Sequence, residues 1–200
     1  MRLAILGRGR TQEPEWAVLL TVAVALALGW LVQMSVAGRT FTTSAAGMTI
    51  TYPVGWMEVS EEGAAFAAVN LGAGIFGPRV GIRQIAKDEL VVAGGSANLS
   101  LADISTAWSV RRAVELSAYR VLKLEAIQLH GREAVSIRYA FLAEGRAGAA
   151  SNTLPVVMQG TDTIMAGGDQ FHILTFACQS DKFDGLAGLR QSLLNSWRVP

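Results

Sequence analysis

The sequence predicts an α+β domain, with a largely antiparallel sheet covered by helices, preceded by one transmembrane helix. Three observations lead to this fold class. Residues 16–38 form an apolar run without a charged side chain. Most later segments alternate apolar and polar residues and are joined by short turns, as in β-hairpins. Two further segments show helical spacing, and their helices should cover the faces of the sheet.

The composition is that of one globular domain behind an apolar leader. Of the 200 residues, 51% are hydrophobic and 16% are charged, whereas soluble domains have about 25% charged residues. The net charge is +1 and no basic run stands out, which argues against a nucleic-acid partner. The single cysteine, Cys178, excludes an internal disulfide, and its apolar surroundings favour a buried small hydrophobe.

Residues 16–38 are predicted to be a transmembrane helix. These 23 residues are long enough to cross a hydrocarbon core of about 30 Å at about 1.5 Å per residue. Three arginines precede the run within residues 1–15, and only Arg39 follows it closely. The positive-inside rule therefore predicts a cytoplasmic tail at residues 1–15 and a single-pass protein of the cell membrane, with its C-terminal domain on the periplasmic or extracellular side.

The alternative for this leader is a cleavable signal peptide. Ser35 and Ala37 supply small residues with the spacing that a signal peptidase needs. The apolar run is nevertheless longer than the usual h-region of about 7–15 residues, and the leader contains Pro14. A retained anchor is therefore favoured, and either interpretation exports the rest of the chain.

Residues 39–47 are small and polar and are predicted to be a linker, and residues 48–200 are predicted to be the extracytoplasmic domain. Segments of about five to twelve residues with period-2 alternation predict its strands. In chain order these are residues 48–52, 56–60, 64–71, 79–85, 119–128, 133–142, 154–165 and 170–178.

Turn and loop residues separate these strands. Pro53 ends the first strand because it cannot donate a ladder hydrogen bond, and Gly55 permits the turn that follows. Trp56 is predicted to close one end of the core. Hairpin turns are predicted at residues 129–132 and 166–169, and loops at 87–99 and 145–152.

Two helices are predicted in the domain. Ser100 is a candidate N-cap with Asp103 at the third helical position, and Leu101, Ile104 and Trp108 then share one face. A second helix is predicted to begin at Asp181. Its apolar stripe consists of Phe183, Leu186, Leu189, Leu193 and Trp197.

The chain resembles the PsbP-like family of α/β/α sandwiches, also called the PsbP/Mog1 type. The stretches that carry the resemblance are MTITYPVGW, GREAVSIRYAF and FHILTFACQSDKFDGLAGLRQSLLNSWRV. The family shares a strand that ends in Tyr-Pro followed by Gly-Trp, a Gly-x-Glu-Ala strand after a hairpin, and a final helix that ends in Ser-aromatic. The resemblance covers residues 46–198.

This resemblance implies docking rather than catalysis. The family includes an extrinsic photosystem II protein, a nuclear Ran-binding protein and bacterial envelope proteins, most of which act by binding a partner. The shared motifs are structural, and no functional residue of the family maps onto a position of this sequence.

The residues themselves predict no catalytic, metal-binding or cofactor-binding site. The two histidines, His130 and His172, lack zinc-ligand spacing, and the common nucleophile and nucleotide-binding motifs are missing from the sequence. If the last two strands pair, Asp162 and Asp169 come near His172. That group is either a surface ion site or ordinary solvated side chains, and we expect neither enzyme activity nor a cofactor.

The function that follows is that of a membrane-anchored, non-catalytic accessory or assembly subunit. Its expected partners are the lipid bilayer, through residues 16–38, and integral membrane protein subunits on which the exported domain docks. The alternative is an envelope binding module that holds a lipid or another apolar small molecule between helix and sheet.

Overall fold

The computed structural model describes residues 15–37, 40–90, 100–144 and 154–200. The chain divides into two compact units, Met1–Arg39 and Thr40–Pro200. In the first unit, helix α1 spans Glu15–Ala37. Across the described ranges, no helix combines the length and the apolarity that crossing a membrane requires. The membrane anchor at residues 16–38 stays a prediction.

The second unit holds the strands and the other two α-helices of the described chain. Its elements are β1 (Thr40–Ala45), β2 (Met48–Pro53), β3 (Met57–Glu58), β4 (Phe66–Val69), β5 (Arg79–Ala86), α2 (Leu101–Glu115), β6 (Ser117–Leu129), β7 (Arg132–Ala143), β8 (Val156–Gly167), β9 (Gln170–Gln179) and α3 (Ala187–Ser196). Short 3-10 helices lie at Leu71–Ala73 and Lys87–Leu90.

The strands form one large sheet and one separate hairpin. The large sheet has the order β3-β4-β5-β9-β8-β7-β6, and β1 pairs with β2 outside it. Every pair is antiparallel. The prediction of an α+β fold with a largely antiparallel sheet is therefore confirmed.

The two faces of the large sheet are covered by different elements. Helix α2 covers one face, where Ile104 and Trp108 pack against Ile137, Ile164 and Ile173. Helix α3 and the β1–β2 hairpin cover the other face. The core residues on that side include Met48, Ile50, Trp56, Phe176, Phe183, Leu193 and Trp197. Fully burying one such apolar side chain contributes about 1.5–3 kcal/mol, so both layers are held mainly by this packing.

The start of α2 is as predicted. The backbone N–H of Asp103 donates to Ser100 Oγ at 3.2 Å, and the backbone N–H of Ser100 donates to Asp103 Oδ2 at 3.0 Å. This reciprocal capping box satisfies two backbone donors that a helix start leaves unpaired. The burial of Trp56 in the core is likewise as predicted.

The linker prediction for residues 39–47 is wrong for most of its length, because Thr40–Ala45 forms β1. This strand pairs with β2 from Thr40↔Pro53 to Ala45↔Met48. Ala46 and Gly47 join the strands with φ of 50° and 78°, the left-handed conformation that two-residue hairpin turns require. The segment is mostly polar and has no alternating apolar face, so its sequence does not predict a strand. Its extended conformation comes from pairing with β2.

Other boundaries also differ from the prediction. The second helix begins at Ala187, not at Asp181, and the residues between are turns. Phe183 lies in these turns, with the guanidiniums of Arg138 and Arg190 at 4.6 and 4.4 Å from its ring centre. Arg138 Nη2 also donates to Asp184 Oδ1 at 2.8 Å. These contacts stabilise the turn in place of a first helical turn.

The strand predicted at residues 56–60 is only Met57–Glu58. The strand predicted at 64–71 is Phe66–Val69, and it ends before the 3-10 helix that begins at Leu71. Within the loop predicted at 87–99, the first four residues are 3-10 and the remainder lies outside the described residues. The loop predicted at 145–152 also lies outside them.

The C-terminus closes onto β2. Thr49 and Arg198 exchange backbone hydrogen bonds of 3.0 and 2.8 Å. The backbone N–H of Thr51 donates to Ser196 Oγ at 3.1 Å, across 145 positions of sequence. The end of the chain therefore belongs to the core that α3 and the hairpin form.

Candidate functional site

A charged cleft of about 670 Å³ lies between α2, β5 and the turn before β4. Its charged lining residues are Glu61, Glu62, Arg83, Glu89, Arg111, Arg112 and Glu115. The helix supplies its three residues from one side of its last turns, where positions three and four apart are neighbours. Arg83 points to the same side of the sheet because its cross-strand partner, Ile173, packs under α2.

Ion pairs connect the charges across the charged cleft. Arg83 Nη2 lies 2.6 Å from Glu61 Oε1, and Arg83 Nη1 lies 3.2 Å from Glu115 Oε2. Arg111 Nε lies 3.2 Å from Glu115 Oε1. Burial acts to raise the pKa of Glu115, but the neighbouring guanidiniums, Arg112 foremost, outweigh it and lower that pKa. Glu115 is therefore the carboxylate that ties the helix to the strand.

The acidic and basic groups differ in their access to solvent. The side chains of Glu61 and Glu89 are 48% and 59% exposed, whereas those of Arg83 and Arg112 are 15% and 8% exposed. At the mouth of the charged cleft, three exposed glutamates (Glu61, Glu62 and Glu89) outnumber one exposed arginine, Arg111 at 45%, and the guanidiniums of Arg83 and Arg112 lie at its floor. Such a mouth favours approach by positively charged groups.

Beneath the floor lies a buried polar quartet, which we define as Trp108, Arg112, Tyr139 and Asp162. Trp108 Nε1 donates to Asp162 Oδ2 at 2.6 Å, and the Tyr139 hydroxyl donates to Asp162 Oδ1 at 3.0 Å. Arg112 Nη2 donates to the Tyr139 hydroxyl at 2.8 Å. Arg112 Nε lies 3.3 Å from Asp162 Oδ2, so the buried carboxylate has a cation beside it.

The environment of the quartet keeps Arg112 charged. Burial alone would lower the pKa of Arg112, but the Asp162 carboxylate raises it overall. Burial also raises the pKa of Tyr139, and Asp162 adds to that effect. The hydroxyl is therefore a neutral donor, and the Arg112 guanidinium is held rigidly from below while it bonds Glu115 in the cleft at 2.9 Å.

Gly160 makes room for the quartet. It lies directly opposite Tyr139 in the β7–β8 ladder. A Cβ atom at this position would come within 2.5 Å of Tyr139 Cζ. The Tyr139 ring therefore lies flat over the neighbouring strand and can bring its hydroxyl to Asp162.

The histidines and acids considered in the sequence do not form a site. Asp162 faces α2, whereas His172 alternates with Phe171 and Ile173, which pack under α2, and so faces the opposite side of the sheet. The possible ion site of Asp162, Asp169 and His172 is therefore wrong. Within the described residues, no group of three or more His, Cys, Asp or Glu side chains could hold a metal ion.

The remaining candidate residues lie apart from the charged cleft. His130 Nε2 is 2.7 Å from Arg198 Nη1 at a hairpin tip. Cys178 is fully buried, and burial raises the pKa of its thiol to about 11. This agrees with the interpretation of Cys178 as a small hydrophobe.

A second depression, the apolar groove, lies beside the edge of the sheet. It has a volume of about 340 Å³ and is lined mainly by Leu101 and Ala102 of α2, Leu124 and Ala126 of β6, and Val135 of β7. It lies between helix and sheet, where the alternative function places an apolar ligand.

Sequence reasoning missed the charged cleft. Its residues come from segments around positions 61, 83–89 and 111–115, which only the fold brings together. One signal was present: Arg83 lies in an alternating strand, and Arg111 and Arg112 border the apolar face of a helix. Charged residues at the borders of the apolar faces of a helix and a strand can meet where the helix packs on the sheet, as these arginines do in the charged cleft.

Comparisons with known proteins identify the fold. No family model and no curated protein matches the chain. The solution structure of cyanobacterial PsbP (CyanoP) from Synechocystis sp. PCC 6803 is similar with a TM-score of 0.57 and 12% identity, over 81% of this chain and 92% of that one. The crystal structure of the Saccharomyces cerevisiae Ran-binding protein Mog1p has a TM-score of 0.52 and 8% identity, over 80% and 95%. The chain therefore contains a domain of the PsbP-like fold.

Proposed function

We propose that this chain is a membrane-anchored, non-catalytic accessory or assembly subunit whose domain docks on a membrane protein complex through the charged cleft. The observation that carries the proposal is the cleft itself. Exposed carboxylates line its mouth, and the guanidiniums of Arg83 and Arg112, each paired with a glutamate, form its floor. Such a surface can recognise a partner by charge and shape.

The chemistry of the lining supports binding over catalysis. The described residues that line the charged cleft include neither a hydroxyl or thiol nucleophile nor a histidine. Its arginines are engaged with glutamates, and Asp162 below them is fully buried. The exposed carboxylates at the mouth could exchange protons, but the described lining places no nucleophile beside them.

The sequence supports a docking partner at the membrane. Residues 16–38 carry no charge, and basic residues precede them, which supports anchoring in the bilayer with the domain outside the cytoplasm. The similarity to a Ran-binding protein, by the name of that structure, agrees with a binding role for this fold.

The test is a pull-down of the C-terminally tagged full-length chain from native membranes in mild detergent. We expect integral membrane proteins to co-purify in fixed proportion with the chain. The double variant Glu62→Lys/Glu89→Lys inverts the charge at the cleft mouth and should release them. Glu144→Lys changes an exposed charge elsewhere and should retain them.

The alternative function, binding of a lipid or other apolar molecule, is supported by the apolar groove of about 340 Å³. Native mass spectrometry of the purified full-length chain tests it. A bound apolar molecule that is lost in the groove-filling variant Ala126→Trp, together with a pull-down that yields no protein partner, would favour this function over docking.

A further inference from the structure

The connection between β4 and β5 carries large apolar side chains that are exposed to solvent. Leu71 and Ile75 lie in this connection and are 49% and 65% exposed, and Met57, on the strand beside β4, is 56% exposed. We call these three residues the apolar tip. No charged residue occurs from Gly63 to Pro78. Exposed apolar side chains grouped in this way indicate a contact with another protein or with a membrane.

The backbone around the apolar tip bonds to itself. Three N–H groups donate to the carbonyl oxygen three residues earlier: Ala73 to Asn70, Gly74 to Leu71 and Gly77 to Gly74. The N–H of Asn70 donates to the carbonyl oxygen of Pro78 at 2.9 Å and closes the base of the loop. Backbone groups that leave water need such internal partners. The loop can therefore bring its apolar side chains to a lipid interface without leaving these donors unpaired.

The apolar tip lies at the end of the domain where the chain enters it. Thr40, the first residue of β1, pairs with Pro53, and the backbone N–H of Trp56 donates to the carbonyl oxygen of Pro53 at 3.4 Å. Met57 follows directly, at the end of the β3–β4 ladder from which the chain continues to Leu71. The start of β1 and the apolar tip are therefore neighbours at one end of the domain.

This position favours the bilayer over a protein as the partner of the apolar tip. Helix α1 ends at Ala37 and β1 begins at Thr40, so very little chain separates the proposed anchor from this end of the domain. An anchored chain therefore keeps the apolar tip close to lipid at all times, whereas a protein partner would have to reach it there.

The charges near the apolar tip fit the surface of a bilayer. Arg79 lies at the base of the loop, where its Nη2 donates to the carbonyl oxygen of Ile75 at 3.3 Å. A cation beside apolar side chains matches an interface in which lipid phosphates lie just outside the acyl chains. Glu58, the neighbour of Met57 in the chain, accepts a hydrogen bond from the Tyr52 hydroxyl at 2.5 Å.

We propose that the apolar tip inserts into the interface of the extracytoplasmic leaflet and gives the domain a second membrane contact beside the anchor. This inference rests on the proposed anchoring of the chain. Glu61 and Glu62, at the mouth of the charged cleft, lie at the opposite end of the β3–β4 ladder. The contact therefore turns that side of the cleft away from the lipid, toward the part of a partner that stands outside the membrane.

A fluorescent label at position 75 tests the contact. Cys178 is fully buried, and burial raises the pKa of its thiol to about 11, so a thiol-reactive label goes to an introduced cysteine. The full-length Ile75→Cys chain is labelled and reconstituted into vesicles of phosphatidylcholine and phosphatidylglycerol. Its fluorescence is compared with and without a lipid that carries a nitroxide near the top of its acyl chain. We expect a loss of fluorescence, because a nitroxide quenches only over short distances.

Two variants control this measurement. Asp169→Cys places the label in the exposed β8–β9 turn, at the opposite end of the sheet from Arg79, and its fluorescence should not change. Adding Leu71→Asp to the Ile75→Cys chain places a charge in the apolar tip and should reduce the quenching to the level of the Asp169→Cys control. Equal quenching at positions 75 and 169, or quenching that Leu71→Asp leaves unchanged, overturns the proposal.

Alkaline carbonate extraction of the same vesicles tests the anchor separately. A chain that resists carbonate but shows no quenching at position 75 keeps the anchor and lacks the second contact. A chain that carbonate removes, but that was quenched at position 75 beforehand, binds lipid through the apolar tip and contradicts the proposed anchor instead. A chain that does not associate with the vesicles at all overturns both.

Discussion

Replacing Arg112 by methionine should destabilise the domain strongly. Methionine keeps much of the length and packing of arginine but removes the guanidinium. The Asp162 carboxylate, 0% exposed, would then lose the only cation of the quartet. Tyr139 would also lose the donor at 2.8 Å from its hydroxyl.

The expected magnitude follows from burial. Removing one partner of a buried ion pair costs about 3–5 kcal/mol, because it leaves an uncompensated charge in a medium of low polarity. In a chain of this length, 1 kcal/mol corresponds to about 2–4 °C in Tm. The Tm of Arg112→Met should therefore fall by about 6–20 °C.

Urea unfolding of the full-length chain, followed by circular dichroism, measures the free energy of unfolding. Arg111→Met is the matched control: its side chain is 45% exposed, and exposed ion pairs contribute about 0–1 kcal/mol. The double variant Arg112→Met/Asp162→Asn removes both buried charges and should recover most of the loss. A loss at Arg112 no larger than that at Arg111, or a double variant no more stable than Arg112→Met alone, would refute the reasoning.

Three further changes test other parts of the domain by the same unfolding measurement. Gly160→Ala should lower the free energy of unfolding by about 1–3 kcal/mol, because its methyl group would overlap the Tyr139 ring. Gly188→Ala, whose methyl group would meet nothing within 4 Å, should stabilise α3 by up to about 1 kcal/mol. Equal effects of the two variants would contradict the close approach at Gly160. Ser100→Ala should cost about 1 kcal/mol through loss of the cap, and Ser100→Asp, which can still cap, should cost less. Burial lowers the pKa of His172 in the folded chain, so as the pH falls the unfolded chain binds this proton first, near the usual histidine pKa of about 6.5. The free energy of unfolding should therefore decrease as the pH drops below that value. If the pH dependence of the free energy of unfolding is unchanged in His172→Gln, another group causes it.

The sequence predicted those parts of the fold that depend on interactions between residues close together in the chain. Strands β6 to β9 show period-2 alternation and tight turns, and Ser100 with Asp103 marks a helix start by short-range hydrogen bonds. Strand β1 escaped prediction because Thr40–Ala45 lacks an alternating apolar face and owes its conformation to pairing with β2. Asp181 has the character of a cap, but the packing of Phe183 in the core overrides it.

The charged cleft and the quartet could not be predicted for a different reason. Asp162 lies 54 positions from Trp108 and 23 from Tyr139, and only the strand order places Asp162 and Tyr139 beneath Trp108 of α2. The sequence distinguishes Asp162 only as the one charged residue of β8. Strand pairing alone suggested that Asp162 lies near His172, but the two side chains lie on opposite faces of the sheet.

The closure of β2 by the C-terminus sets the order in which the domain can be completed. The hydrogen bond from Thr51 to Ser196 can form only after another 145 residues have been synthesised. At roughly 5–20 residues per second this takes about 7–30 s. Until then, the core layer that contains Met48 and Ile50 lacks Trp197. The layer that contains β2 therefore cannot be completed before Ser196 and Trp197 have been synthesised. As long as residues 196–198 are kept from reaching β2, for instance while they are still inside the ribosome, this layer of the domain stays open.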